Sequence, residues 1–137
     1  MSFRKIAVYL LLAASFLIMP SAGAENDIAT AYDLSPQSCG KSRDQWAYGI
    51  TASGYNLKGH TWNSARTVSA DLSILPLGTK IQIKFSAPYE HMNGIYTVRD
   101  TGGGVRGHHI DIFFGEYAHN EALRFGRRSV FVTVLNK

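Results

Sequence analysis

Short runs in which apolar and polar residues alternate recur along the chain and are separated by turn-forming residues. The clearest run is Lys-Ile-Gln-Ile-Lys-Phe at 80–85, where every second side chain is apolar. Because successive side chains of a strand point to opposite faces, this pattern predicts a strand with one buried face. Comparable runs predict further strands at 28–32, 46–51, 67–71, 94–100, 109–113 and 130–135.

One segment has a helical pattern instead. Ala118, Ala122 and Phe125 recur at helical spacing within 116–125, and Gly126 follows as a stop signal. Six or seven short strands with one small helix predict an all-β fold, and a compact barrel rather than a parallel α/β sheet. Composition alone leaves a barrel and a sandwich open. No internal repeat or second domain is visible in the sequence.

Residues 1–24 have the pattern of a secretory signal peptide. Arg4 and Lys5 precede a 14-residue apolar run, and Ala22-Gly-Ala24 supplies a small-residue cleavage site. The run is shorter than the ~20 residues that a membrane span needs, although an uncleaved leader would tether the protein. We therefore expect residues 25–137 to form one exported domain, periplasmic or extracellular at the cell wall, without stable membrane insertion.

The charge balance of residues 25–137 argues against a nucleic-acid partner. This segment holds 12 basic and 10 acidic side chains, an excess of +2, and has no stripe of basic and aromatic residues. Such a balance is compatible with binding an anionic polymer. Cys39 is the single cysteine, so we expect no internal disulfide. Its thiol is either free or paired with another molecule, or the residue is incidental.

The segment that carries the most chemistry is a glycine-rich loop between two predicted strands. Asp100 ends the first strand, Asp111 lies within the second, and four of the six residues 102–107 are glycine. Glycine permits a positive φ and a close approach to a ligand. A carboxylate fixed beside such a loop can have a perturbed pKa. The same residues also allow a glycine hairpin whose aspartates cap turns.

A third aspartate, Asp71, precedes Leu-Ser-Ile-Leu-Pro-Leu-Gly. Together with Asp100-Thr-Gly-Gly and Ile110-Asp-Ile-Phe, it resembles the 3D domain, a family of bacterial cell-wall proteins named for three aspartates. Further matching segments lie at 30–32, 49–54 and 121–132, so the resemblance spans about 29–135. It implies a six-stranded double-psi β-barrel with one short helix, whose aspartates line an open groove for a glycan strand.

The resemblance also implies roles for individual residues. In lytic transglycosylase members of the family the catalytic acid corresponds to Asp111, and Asp100 supports it. Six further residues are expected to bind substrate: Thr30, Tyr32, Asp71, Gly102, Gly103 and His109. Asp71 has an alternative role as a structural turn aspartate. The chain departs from the family in its single Cys39 and in a long insert at 87–93.

The resemblance therefore implies a lytic transglycosylase acting on the MurNAc-β-1,4-GlcNAc bond of peptidoglycan. A carboxylic acid protonates the leaving oxygen, and the 6-hydroxyl of the same MurNAc is the nucleophile, so one residue serves as acid and then as base. Two alternatives stay open: a non-catalytic glycan-binding or wall-loosening module like the expansin barrels, and an aspartic protease. Asp100-Thr-Gly matches the active-site triplet of aspartic proteases. That chemistry needs two such triplets, from one chain or from the two subunits of a dimer, and this sequence contains one.

We expect neither a metal centre nor a cofactor. His108, His109 and Asp111 would point to alternating faces of one strand, and no second histidine has a ligand spacing such as His-x-x-x-His. The expected partner is a peptidoglycan glycan strand, bound by a monomer.

Overall fold

The computed structural model describes residues 24–137 of the 137-residue chain. The predicted signal peptide therefore lies outside the described residues except for Ala24, and it stays a prediction. The elements follow the chain in this order: β1 (Ala24–Asp33), α1 (Pro36–Cys39), α2 (Trp62–Ala65), β2 (Thr67–Ala70), β3 (Lys80–Lys84), a 3₁₀ helix (Glu90–Met92), β4 (Gly94–Asp100), β5 (His109–Gly115), α3 (His119–Phe125) and β6 (Arg128–Asn136).

The six strands close into a barrel in the order β1-β5-β2-β4-β3-β6. Two pairs, β1/β5 and β2/β4, are parallel, and the other four are antiparallel. Closure leaves no free sheet edge among these strands. The predicted all-β barrel of six strands is confirmed.

Aliphatic side chains and one tyrosine of the six strands fill the barrel interior, and the same core continues through Leu75, Phe85, Met92, Phe114, Ala122 and Phe125. The interior side chains come from alternate positions on every strand, as the period of two requires. The buried interior residues are Ala29, Val68, Ala70, Ile81, Ile83, Tyr96, Val98, Ile110, Ile112, Val130 and Val132. Each fully buried side chain of the size of isoleucine stabilises the fold by about 1.5–3 kcal/mol.

A second, smaller core lies on the outer side of β1 and β5, against the segment that joins β1 to β2. Its buried members are Tyr32, Leu34, Tyr48, Leu57, Ala65 and Phe113. The Tyr32 and Phe113 rings lie 5.6 Å apart between centroids. This packing holds the 34–65 segment against the barrel wall, so that it forms one side of a groove.

The strand predicted at 46–51 is absent, and this prediction is wrong. The segment consists of turns, closed by Tyr48 N–H donating to Gln45 O at 2.9 Å and Ile50 N–H donating to Ala47 O at 3.1 Å. Gly49 has φ +74°, which strand geometry does not allow. Trp46 and Tyr48 would share a strand face, yet Trp46 is 91% exposed and Tyr48 3% exposed.

The predicted helix begins three residues late, at His119 rather than at residue 116. The Glu116 carboxylate is occupied elsewhere, accepting from Gly59 N–H at 2.6 Å and from Tyr48 Oη at 3.1 Å. Its backbone N–H donates to His60 O at 3.2 Å. These bonds tie residue 116 to a neighbouring loop, so the helix starts only after it.

Three short helices that the pattern did not predict occupy two connections: α1 and α2 lie between β1 and β2, and the 3₁₀ helix lies between β3 and β4. One lies in the insert at 87–93, where the 3₁₀ helix Glu90–Met92 buries Met92 and Asn93 Oδ1 accepts from Phe85 N–H at 2.7 Å. The remaining strands appear where they were predicted, with ends shifted by up to four residues. No helix within residues 24–137 is long and apolar enough to cross a membrane.

Candidate functional site

Four polar residues form one row across four neighbouring strands of the barrel. Thr30 of β1 pairs in register with Asp111 of β5, Asp111 with Ser69 of β2, and Ser69 with Asp100 of β4. The pleat therefore sends their side chains to the same side of the sheet. Since neighbouring strands lie about 4.8 Å apart, the two aspartates are about 10 Å apart at their Cα atoms, with Ser69 between them.

The row faces outward, because Ile110 and Ile112, on either side of Asp111, are fully buried in the barrel core, as are Val68 and Ala70 on either side of Ser69. A bulge in the β2/β4 pairing at Ser69 brings Asp100, rather than Arg99, opposite this serine. Over the row lies a groove of about 370 Å³ between the barrel wall, the 34–65 segment and the glycine-rich loop. It is lined by Tyr32, Leu34, Ser38, Cys39, Lys41, Gly49, Ile50, Leu57, Ser69, Asp100, Thr101, Gly102, Gly103, Val105 and Asp111.

Asp111 is held by a hydroxyl that bridges it to a histidine. Thr30 Oγ1 donates to Asp111 Oδ1 at 2.9 Å and lies 2.8 Å from His109 Nε2. When the threonine hydroxyl donates to the carboxylate, the His109 nitrogen is the donor to the threonine. These two hydrogen bonds fix the orientation of the Asp111 carboxyl group through its Oδ1. Its other oxygen, Oδ2, takes no part in them.

Burial in the barrel wall raises the pKa of Asp111 above that of an ordinary aspartate. The hydrogen bond from Thr30 and the nearby His109 act in the opposite direction, and repulsion by Asp100 adds a smaller upward contribution. Desolvation is therefore the main cause of the raised pKa of Asp111, and a raised pKa is what a general acid needs. The predicted repulsion by Asp100 is a minor cause, because Ser69 separates the two residues.

Asp100 is fixed by backbone donors. Its Oδ1 accepts from Ala52 N–H at 3.1 Å and from Thr101 N–H at 2.9 Å. The turn that contains Ala52 is also bound to β4, because Ser53 N–H donates to Arg99 O at 3.0 Å. Asp100 thus joins the two walls of the groove, and its second carboxyl oxygen is left for other partners.

Tyr32 places a hydroxyl beside these carboxylates and close to Ser69. Tyr32 is 8% exposed, and its Oη, which is closed off from solvent, has no hydrogen bond of 3.5 Å or less among the described residues. Burial, reinforced by Asp100, raises the pKa of this phenol, so it is a neutral donor and acceptor. A buried hydroxyl left without a partner costs free energy that a bound ligand can recover.

The glycine-rich loop differs from its prediction in one respect. Gly102, Gly103 and Gly104 do not have positive φ angles; within the loop only Gly107 does, at +66°. Backbone conformation therefore does not demand the first three glycines. A Cβ at Gly103 would have no atom within 4 Å, and Gly102 and Gly103 both line the groove. Their lack of side chains keeps the groove open, and buried Val105 anchors the loop.

Asp71 lies apart from the groove lining, and its geometry is that of a turn aspartate. Its Oδ1 accepts from Ser73 N–H and Oγ, and its Oδ2 accepts from Gly107 N–H at 3.0 Å. These donors, with Gly107 first, lower the pKa of Asp71 to about 2. Its role in substrate binding stays a prediction, and the alternative structural role is the one its contacts favour.

We expect Asp71→Asn to lower the thermal stability at neutral pH, because an amide nitrogen cannot accept the bonds made to one carboxylate oxygen. A depressed folded-state pKa contributes stability that is present above the unfolded pKa of ~3.9 and is lost as pH falls through the folded value. The difference in Tm from wild type should therefore be largest above about pH 5 and shrink toward pH 2. Thermal unfolding across pH 2–7, with exposed Glu121→Gln as control, measures it. A Tm difference independent of pH would contradict this role.

The structure thus brings Asp111, Asp100 and Thr30 together, with Tyr32, Gly102 and Gly103 on the groove and His109 bonded to Thr30. Sequence reasoning missed Ser69, Cys39 and Lys41. Ser69 had a signal, since it is a single serine between buried Val68 and Ala70. Cys39 and Lys41 had none, because only the packing of the 34–65 segment brings them to the groove.

Comparison with known proteins decides the family. The model of the family described as the 3D domain matches residues 66–136, which include all three aspartates and the glycine-rich loop. The chain belongs to the 3D domain family. The predicted resemblance is confirmed, and β1, which supplies Thr30 to this 3D domain, precedes the matched segment.

Two relatives of this 3D domain come from Bacillus subtilis (strain 168). YabE, named as a cell wall shaping protein, is 32% identical over 108 residues, which are 79% of this chain and 22% of YabE. The cell wall-binding protein YocH is 33% identical over 88 residues, 64% of this chain and 27% of YocH. The chain therefore spans about a quarter of the length of these curated relatives.

Among solved structures, the 3D domain is similar to MltA from E. coli, with 27% identity, a TM-score of 0.49, and coverage of 64% of this chain and 27% of MltA. It is also similar to LtgG, a lytic transglycosylase of Burkholderia pseudomallei, with 23% identity, a TM-score of 0.46, and coverage of 70% of this chain and 29% of LtgG.

Proposed function

We propose that this 3D domain is a lytic transglycosylase that binds peptidoglycan glycan strands in the groove and cleaves the MurNAc-β-1,4-GlcNAc bond. The observation that carries the proposal is Asp111: a carboxyl with a raised pKa, oriented by Thr30, on the wall of an open groove. A second carboxylate, Asp100, lies in the same row. Relatives named for cell wall shaping and cell wall binding support peptidoglycan as the substrate class and the wall as the location.

In the proposed reaction Asp111 donates its proton to the glycosidic oxygen as the bond from that oxygen to C1 of MurNAc breaks. The 6-hydroxyl of the same MurNAc forms the new bond to C1, and the Asp111 carboxylate takes the hydroxyl proton. The products are a GlcNAc hydroxyl end and a 1,6-anhydro-MurNAc end, and no water is consumed. Asp111 regains its proton within one cycle, so a second catalytic carboxylate is not required.

The other groove residues have supporting roles in this proposal. Thr30 orients the acid, and Asp100 accepts hydrogen bonds from sugar hydroxyls through its second oxygen. The Tyr32 hydroxyl, which has no hydrogen bond of 3.5 Å or less among the described residues, supplies a donor or acceptor. Gly102 and Gly103 leave room for the sugar ring, and His109 acts on substrate through Thr30.

A non-catalytic glycan-binding module is the alternative function. The name of the cell wall-binding relative YocH supports it. The same row of hydroxyl and carboxyl groups can bind sugar hydroxyls without transferring a proton. Both functions would use the same groove, and only the catalytic one would release a cleaved glycan product.

The deciding experiment incubates the purified protein with intact peptidoglycan and analyses the soluble products by mass spectrometry. Lytic transglycosylase activity gives muropeptides ending in 1,6-anhydro-MurNAc, whereas hydrolysis gives reducing ends. Sedimentation with peptidoglycan, measured in parallel, reports binding. Binding without any anhydro product would favour the non-catalytic module.

The Asp100→Asn variant tests the electrostatic part of the site. Repulsion by Asp100 raises the pKa of Asp111, so its removal should lower that pKa and move the alkaline limb of the activity profile toward lower pH. The shift should be small, because the residues lie about 10 Å apart across Ser69. The pH–rate profile measures it, with exposed Asp44→Asn as control. A limb displaced to higher pH would show that Asp100 stabilises the charged form instead.

A further inference from the structure

We propose a second site, for a divalent metal cation, formed by Glu25 and Asp27 of β1 and by His108 immediately before β5. Their ligand atoms lie within 4.8 Å of one another. The groups come from segments about 80 residues apart in sequence, which is why ligand spacing within one strand did not reveal them. The site is separate from the glycan groove, since none of its three residues lines that groove.

The geometry already approaches that of a coordinated metal. His108 Nδ1 lies 2.9 Å from Glu25 Oε2 and 3.6 Å from Asp27 Oδ1. Ligands placed 2.0–2.2 Å from a tetrahedral zinc ion are about 3.4 Å apart. The two measured separations bracket this value, so a cation can enter with small side-chain movements.

The burial of the Asp27 carboxylate is a separate argument for a bound cation. The side chain of Asp27 is 6% exposed, and its one polar side-chain contact among residues 24–137 is with His108 Nδ1 at 3.6 Å, inside the proposed site. A buried carboxylate normally has donors or a cation, because its desolvation is costly. Its single ionic contact is with His108, whose side chain is 57% exposed.

The side chains of residues 24–137 around Asp27 provide no cationic partner besides His108. The adjoining cavity, of about 300 Å³, is lined by Leu75, Val132 and Val134, which offer no donors to it. Lys137 also lines the cavity but forms no ion pair within 4.0 Å of Glu25 or Asp27 in the described part of the chain.

The donor set indicates which cations fit. One imidazole nitrogen and two carboxylate oxygens suit zinc and similar transition metals, whereas Ca²⁺ and Mg²⁺ prefer sites made only of oxygen. Three protein ligands leave one position for water. Glu25 and His108 are exposed, so the cation has a path from solvent.

A metal here would join the beginnings of two strands that carry the glycan site. Ile28 N–H donates to His108 O at 2.9 Å, and Ile28 pairs with His109, two residues before the Thr30–Asp111 pair on both strands. The cation would therefore secure the β1/β5 register without touching substrate. Its effect should appear in stability, independently of whether the groove is catalytic.

The test measures binding of Zn²⁺ alone to the purified protein by calorimetry, and the Tm with and without Zn²⁺. We expect Zn²⁺ to raise Tm, because it binds the folded state preferentially. His108→Gln should weaken Zn²⁺ binding at least about tenfold and abolish the rise in Tm. The matched control is His91→Gln, which removes an exposed histidine outside the proposed ligand set and should leave both the Zn²⁺ affinity and the rise in Tm unchanged.

Three results would overturn the site: no Zn²⁺ binding by the wild-type protein, equal losses in His108→Gln and His91→Gln, or equal binding of Zn²⁺ and Ca²⁺. Asp27→Asn should also lose Zn²⁺ binding. If that buried variant fails to fold, Glu25→Gln replaces it, because Glu25 is exposed and its loss leaves the core intact. Circular dichroism of each variant confirms folding before metal is added.

Discussion

Replacing Asp111 by asparagine is expected to reduce glycan cleavage by about 10²–10⁴-fold, the usual contribution of a general acid or base. Asparagine keeps the shape of the side chain and can still accept the Thr30 hydrogen bond, but it cannot donate a proton to the leaving oxygen. The rate of anhydro-muropeptide release measures the effect, with exposed Asp44→Asn as the matched control. Turnover at the wild-type rate in folded Asp111→Asn would exclude Asp111 as the acid.

The same variant should be more stable than wild type at neutral pH. Burial raises the folded-state pKa of Asp111, so the wild-type carboxyl favours folding least once pH rises above that pKa and the charge forms in the barrel wall. Asparagine carries no such charge. The Tm advantage of Asp111→Asn should therefore grow from acid to neutral pH. A loss of both activity and stability would instead indicate a structural role.

Filling the groove from the glycine-rich loop is the second change with a large expected effect. In Gly103→Leu the new side chain meets no protein atom near its Cβ and has an allowed φ, so the fold should persist. Because Gly103 lines the groove, the leucine occupies space that the proposed glycan ligand would need. We expect at least about tenfold weaker peptidoglycan binding, equivalent to ~1.4 kcal/mol, with Tm unchanged.

Gly104→Leu is the matched control for this experiment. Gly104 is the next residue of the same turn, a Cβ there also meets open space, and it does not line the groove. Sedimentation with peptidoglycan and thermal unfolding compare the two variants. Equal binding by both would show that the ligand does not pass Gly103, and equal loss would point to the loop as a whole.

Most of the fold was predictable because each barrel strand buries one face. The period of two predicted all six strands. Pairing extends past the apolar run in β1, β5 and β6, and β2 and β3 end one residue earlier than predicted. The pattern was wrong at 46–51, where Tyr48 packs on a second core outside the barrel. Apolar periodicity reports that a side chain is buried, but not against which surface.

The site was partly predictable for a related reason. Asp100 and Asp111 stood out because charged residues interrupt apolar strands, and the family resemblance supplied Thr30. Strand order was not predictable, and it is strand order that places Ser69 between the two aspartates. The same holds for Asp27 and His108, whose proximity depends on the parallel pairing of β1 with β5.

The pairing of β1 with β5 and β6 has a consequence for folding. Thr30 and Asp111 are 81 residues apart in sequence, and β1 pairs with the last strand of the chain as well. Contacts of such separation form late, since the intervening loop must first be closed at an entropic cost. In a chain whose barrel has not yet closed, Thr30 and Asp111 are far apart, so the threonine hydroxyl cannot orient the carboxyl group. The proposed activity on glycan should therefore arise in a single step with closure of the barrel.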